Sequence, residues 1–257
     1  MPASLIMMVE RNLFRNHKWV VPCVIRYFVA IIALCSCLCT ANAQMLIGTK
    51  GLVNVPTADM CPKKTFVGGA NYIGENVVYY DYPVFNYYIS FTPLTFAELT
   101  FRSTIIKEKF DRPSDSYCEQ DRSFTVRVRP LTEKEGMWWP SIVVGSNDFY
   151  SHMGHSYYAA LYGVATKHFN MASIGKLGTT VGYSHLTGKG IIYNGAFGGL
   201  SFQPSGFDAL EVMADYDTKG VNIGACVNVF RHWNFLVCMR EFKRISAGFA
   251  YQYTIKY

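Results

Sequence analysis

Several things are scarce in this 257-residue chain, and each scarcity closes off a class of protein. Charged residues make up only 16% of it, against about 25% in an ordinary soluble domain. Uninterrupted apolar runs are short. The longest, Tyr27 to Cys39, falls short of the roughly 20 residues that a membrane-spanning helix needs, and a longer span from Trp19 to Thr40 would bury Arg26. After Ala43 no stretch carries apolar residues at helical spacing. Catalytic and metal-binding signatures are missing too. No G-x-S-x-G is present, and Gly188-Lys189-Gly190 lacks the glycine spacing and the following Ser or Thr of a phosphate loop, so it reads as a hairpin turn. Gly175 to Gly178 reads as a strand connection. His152 and His155 have no third ligand nearby and read as loop residues. The expectation is a protein without enzymatic chemistry, without a metal and without a cofactor.

The first 43 residues have the layout of an export signal. Arg11, Arg15, Lys18 and Arg26 precede the apolar run, which ends in Ala41-Asn42-Ala43 before Gln44. Leu34-Cys35-Ser36-Cys37 is a weaker alternative, a lipobox that would leave Cys37 as a lipid-bearing N-terminus. Cleavage after Ala43 removes four basic residues and one acid, so the formal charge falls from +6 to about +3, too little to suggest nucleic acid. Cys61, Cys118, Cys226 and Cys238 remain, without metal-type spacing. Cys226 and Cys238 flank one tight turn and form the candidate disulfide; free thiols are the other reading.

Beyond residue 43 the chain is a succession of short alternating segments punctuated by Gly, Pro, Asn and Asp. Ala97, Leu99, Phe101, Ser103 and Ile105 stand on one face, Glu98, Thr100, Arg102 and Thr104 on the other. Val221 to Val229 alternates likewise. The pattern predicts strands at 65–73, 85–92, 95–105, 122–130, 141–148, 158–168, 176–185, 191–203, 208–217, 220–230, 233–243 and 246–257. Twelve strands is an even count, and many have the 9 to 11 residues that cross a bilayer when tilted. The expected fold is therefore all-β, an antiparallel up-and-down transmembrane barrel of about 12 strands over 65–257, preceded by a signal peptide (1–43) and an N-terminal segment (44–64).

Three features favour lipid over water as the solvent of the apolar face. Charge is low. Tyr79, Tyr80, Tyr82, Trp138, Trp139, Phe149, Tyr150, Tyr157 and Tyr158 cluster near strand ends like an interfacial girdle. The chain closes on Phe249, Tyr251, Tyr253, Ile255 and Tyr257 along one face, similar to the terminal signal read by the outer-membrane assembly machinery. Thr92-Pro93-Leu94, Gln203 to Phe207 and Phe230 to His232 read as periplasmic turns, and the charged segment Lys107 to Arg122 as an external loop. Pro130 to Pro140 is longer than a periplasmic turn should be. If the apolar face meets lipid, Glu98, Arg102, Arg127, Arg129, Lys167, Asp215, Asp217 and Arg240 are the lumen-facing candidates. They could fill a closed core or line a solute path, because twelve strands lie between the packed eight and the open sixteen.

A run of motifs resembles the YjbH/GfcD-like family of outer-membrane proteins associated with exopolysaccharide and capsule production. They are Gly51-Leu52-Val53-Asn54-Val55-Pro56-Thr57-Ala58, then Asn86 to Phe91 with Leu99 to Arg102, Ile142 to Phe149 with its Gly-x-x-Asp-Phe ending, Tyr162 to Lys167, and Gly195 to Pro204 followed by Asp215-Tyr216-Asp217. Leu161 stands where the family carries an acid, and His152-Met153-Gly154-His155 where it carries Gly-Thr-Gly. Longer members look like two barrels in tandem, whereas this chain has room for one. The resemblance implies a Gram-negative outer-membrane location, outer-membrane lipid and the assembly machinery as partners, and polysaccharide or its export proteins as further ones. Two rivals stay open: a small outer-membrane barrel hydrolase acting on lipid or glycan, and a soluble periplasmic lipocalin-like binder with an apolar interior.

Overall fold

A computed structural model describes residues 43–257 except 79, 108–116, 149–157, 188–193 and 257, together with all but the side chain of Cys118. The signal segment up to residue 42, His152, His155, the Gly188-Lys189-Gly190 turn, Tyr79, Phe149, Tyr150, Tyr157 and Tyr257 lie outside the described residues.

Twelve strands succeed one another along the chain, each antiparallel to the next: β1 Thr65–Ile73, β2 Val84–Leu94, β3 Ala97–Lys107, β4 Tyr117–Leu131, β5 Ser141–Asn147, β6 Ala160–Met171, β7 Gly175–Leu186, β8 Gly195–Pro204, β9 Leu210–Tyr216, β10 Val221–Val229, β11 Trp233–Arg240 and β12 Arg244–Thr254. β1 pairs with β12 from Thr65↔Thr254 to Tyr72↔Ala247 and closes the sheet into a barrel. Closure gives the last aromatic strand a partner, so Phe249, Tyr251 and Tyr253 belong to a continuous wall with no free edge at the seam.

The strands alternate because each has two solvents. In β2, Val84, Asn86, Tyr88, Ser90 and Thr92 are buried while Phe85, Tyr87 and Ile89 are exposed. In β11, Asn234, Leu236, Cys238 and Arg240 are buried while Trp233, Phe235, Val237 and Met239 are exposed. The exposed face is apolar all round, including Val181 at 66% exposure. The face around Leu99 and Phe101 points out, and that of Glu98, Thr100 and Arg102 points in, which is the reverse of a lipocalin. Aromatic rings pair on the outer face near both ends of the strands, Phe66 with Phe91 and Trp233 with Tyr251 at one end and Tyr72 with Phe85 at the other.

One end of the barrel carries both the start of β1 and the end of β12, with short connections at 95–96, 172–174, 205–209 and 230–232. Thr92 to Leu94 belongs to β2, and the turn there is Thr95-Phe96. The connections at the other end include the longer 74–83 segment. Two members of the expected girdle belong inside instead. Tyr80 and Tyr158 are 2% and 1% exposed. The Tyr80 hydroxyl donates to Asp121, and Tyr158 shares a hydrogen bond with Thr104 beneath the Arg102 guanidinium. The phenols find partners there that lipid would not supply.

The long 132–140 connection at the turn end has a structural reason. β5 begins at Ser141 opposite Thr166, so β6 runs five residues past it and leaves an unpaired edge. Glu133 caps that edge, accepting the His168 backbone N–H at 3.2 Å and the Lys167 ammonium at 2.7 Å. Asp148 does the same at the loop end, accepting Phe124 N–H at 2.6 Å and the Ser123 hydroxyl at 2.7 Å where β4 outruns β5.

Candidate functional site: a lumen closed by the N-terminal segment

Residues 43–61 do not precede the barrel; they fill it. Met45, Leu46, Ile47, Leu52, Val53, Val55 and Ala58 are all at most 1% exposed and join wall residues such as Tyr162, Phe197, Met213 and Leu236 in one apolar cluster. The segment is folded by its own hydrogen bonds, from Leu46 N–H to Val53 O and from Leu52 N–H to Val55 O. Glycines make the fold possible. Gly48 has φ +93°, and a Cβ there would lie 2.4 Å from the Tyr88 ring; one on Gly51 would meet Met45 at 2.4 Å and Val55 O at 2.5 Å. The wall leaves room in turn, because a Cβ on Gly199 would strike Leu52 at 2.5 Å and one on Gly224 would strike Val53 at 2.9 Å.

An apolar segment inside a polar barrel must still satisfy its backbone, and the inward polar side chains do this. Asn71 and Asn86 both donate to Leu46 O, at 2.7 and 2.8 Å. Arg102 donates to Ile47 O at 3.2 Å and to Ser123 at 2.7 Å. Arg127 donates to the carbonyls of Lys50, Thr57 and Asp59 while paired with Glu98 at 2.8 Å, both groups at most 1% exposed. Asp215 accepts the backbone N–H of Asn54 at 2.8 Å, and Asp217 accepts the Asn54 side chain at 2.6 Å and Arg240 at 2.7 Å. The Thr166 hydroxyl accepts Ala58 N–H at 2.8 Å. Among the described residues, the polar ring serves as a docking cradle for the plug.

Six of the eight lumen candidates therefore meet in one network: Glu98, Arg102, Arg127, Asp215, Asp217 and Arg240. The other two sit at the turn end. Arg129 is partly buried and donates to Thr95 O at 2.7 Å. Lys167 shares the outward register of Leu161 and Phe169 and reaches Glu133 and Met137 O of the 132–140 connection. The Cys226–Cys238 disulfide is a correction. Both thiols are free and buried, because the register pairs Cys226 with Leu236 and Cys238 with Gly224. That two-residue diagonal is about 7–8 Å, beyond the reach of a bridge. Cys61 is likewise a free buried thiol, beside Gln44.

Sequence reasoning missed the plug. A signal existed: 45–58 holds many apolar residues in no strand, so they could face neither lipid nor a partner sheet, and the lumen was the one apolar refuge left.

At the turn end the plug leaves a basin of about 240 Å³ bordered by Lys50 and Asp59 of the plug and by Ser201, Gln203 and Glu211 of the wall. A shallower groove of about 770 Å³ adjoins it across His168 and Lys176 and runs to Trp138, which is 85% exposed, and Phe169. Burial alone would raise the Glu133 carboxyl in this groove, but hydrogen bonds from Lys167 and His168 outweigh it and hold the group below the ordinary carboxylate range. The His168 ring lies 2.9 Å from Glu133 and 3.7 Å from Asp59, and so bridges connection and plug.

Comparison with known proteins adds the family. No curated protein matches the chain. Among solved structures it aligns with Pseudomonas putida OprB in its low-pH form, at 10% identity over 74% of this chain and 91% of that one, with a TM-score of 0.26; so distant a likeness carries no further argument. The profile of the YjbH family, described as exopolysaccharide biosynthesis protein, matches residues 43–194, from the first residue of the plug through β7. A match over more than half the chain, taking in the plug and most of the cradle that holds it, makes this protein a member of the YjbH exopolysaccharide biosynthesis family.

Proposed function

We propose that the protein resides in the outer membrane of a Gram-negative bacterium and serves exopolysaccharide secretion or assembly without catalysing a reaction, as a closed barrel that works with export proteins. The observation that carries this reading is the plug, fixed to the wall by Arg127, Asp215 and Asp217 in a barrel whose outside is apolar. The outer face supports the membrane location, since an arginine or lysine there would cost about 2–4 kcal/mol near the midplane. In that setting the turn end faces the periplasm, the loop end faces the exterior, and β12 presents its aromatic face to the assembly machinery. A filled lumen favours a scaffold, or a conduit that opens when the plug leaves, over a standing pore.

The test is chromosomal. Deleting the gene should reduce surface polysaccharide, and complementation should restore it; unchanged polysaccharide would refute the role. In planar bilayers the intact protein should conduct little, and a variant lacking 45–58 should conduct if the barrel is a gated conduit.

A further inference from the structure

We propose that the basin and groove at the turn end form one binding trough for an oligosaccharide segment, with Trp138 as its stacking surface. This rests on the exopolysaccharide reading above and adds where and how the sugar is held. The basin is polar and two-signed. Lys50 and Lys176 face it together with Asp59 and Glu211, and Ser201 and Gln203 supply neutral groups that both donate and accept. A purely anionic ligand would meet two carboxylates there, and an acyl chain would meet a lining that is mostly charged and polar. A neutral polyhydroxylated ring uses donors and acceptors alike. The volume of about 240 Å³ is several times the roughly 30 Å³ share of one water, and Gly178 keeps it open, since a Cβ there would lie 2.6 Å from the Ser201 hydroxyl and 3.3 Å from His168.

The groove continues the path and changes its character. Trp138 presents its indole at 85% exposure and Phe169 lies beside it at 48%. A bare aromatic face next to a polar cavity suits the apolar C–H face of a sugar whose hydroxyls are taken up further in. Glu133 holds the 132–140 connection to Lys167 and His168, so the platform is set in place before a ligand arrives.

The experiment uses the mature protein folded in detergent micelles. The probe is size-fractionated oligosaccharide from partial acid hydrolysis of the surface polysaccharide of a strain carrying the gene, with binding read by calorimetry and tryptophan emission. Saturable binding is expected. Trp138→Ala should weaken it about tenfold or more, Gly178→Leu should abolish it, and Trp233→Phe should leave it unchanged. Heat-modifiable gel mobility reports folding, and if Gly178→Leu fails to fold, Lys176→Gln takes its place with an expected several-fold loss. Absence of saturable binding, or equal binding by Trp138→Ala, overturns the proposal. So does quenching of Trp138 by brominated phospholipid without response to oligosaccharide, which would make the groove a lipid contact. Complementation separates the two levels. If the deletion strain lacks polysaccharide and the Trp138→Ala variant restores it fully, the trough falls and the exopolysaccharide role stands; if the deletion strain makes normal polysaccharide, the role itself falls.

Discussion

Arg127 is the residue whose loss should do most to free the plug. Its guanidinium is fully buried, pairs with Glu98 at 2.8 Å and donates to three plug carbonyls. Arg127→Ala strands the Glu98 carboxylate at 1% exposure, and breaking a buried pair in this way costs about 3–5 kcal/mol. Arg127→Leu combined with Glu98→Leu removes both charges and keeps apolar volume, so that term disappears. The cost left over is the set of plug carbonyls without a donor, each worth about 1 kcal/mol or more. The single variant should therefore be less stable than the double, and both less stable than the parent, in urea unfolding of the micelle-bound barrel followed by tryptophan emission. Cys61 gives an independent readout of the plug, being a free thiol at 3% exposure. Maleimide should label it slowly in the parent and much faster in both variants. Equal stability of single and double variants, with Cys61 labelling unchanged, would refute the assignment of Arg127 as the plug's anchor.

Other outcomes are as specific. Gly224→Ala should destabilise the barrel by about 1–3 kcal/mol through overpacking, and Val53→Ala should recover part of this, since Val53 is one of the residues a Cβ would meet at 2.9 Å; no recovery would mean the plug does not pack there. Val181→Arg, on the exposed face of β7, should cost about 2–4 kcal/mol in lipid, and a neutral result in vesicle refolding would deny that face its membrane. Asp217→Asn should loosen both Asn54 and Arg240, seen as faster proteolysis of the plug at unchanged barrel mobility. Glu133 predicts a pH dependence. Its folded pKa is depressed, so its stabilisation is in place above the unfolded value of about 4.3 and is lost as pH falls through the lower folded value. Tryptophan emission in a Trp233→Phe background should change across that acidic window and stay flat in Glu133→Gln.

How far the fold could be read in advance depended on range. Strand after strand was legible because each lies between two unlike media, and that contrast is written as a period of two in Phe85 to Thr92 or Trp233 to Arg240. The predicted bounds of β1 agree with the structure, and those of most other strands lie within a few residues. β4 runs longer, and the length of the 132–140 connection follows from β6 outrunning β5, a pairing that no local pattern reveals. Tyr80 and Tyr158 misled because an aromatic at a strand end looks the same whether it turns toward lipid or folds inward over the lumen. The site was legible only as a set of inward polar residues, with no indication of what they bind.

Sequence alone determined the all-β class, the count of about twelve strands, the division of each strand into an apolar and a polar face, and the family resemblance, because these arise from local alternation and from motifs that can be matched one by one. Only the tertiary structure decided that the apolar face points outward and that residues 43–61 pack inside the barrel. The Gly51 to Ala58 motif and the Asp215-Tyr216-Asp217 motif lie far apart in the chain, yet Asn54 of one is held by both acids of the other. No local pattern encodes that meeting. It exists because strands far apart in sequence enclose one space, in which the apolar segment ahead of β1 leaves water while inward polar side chains satisfy its backbone.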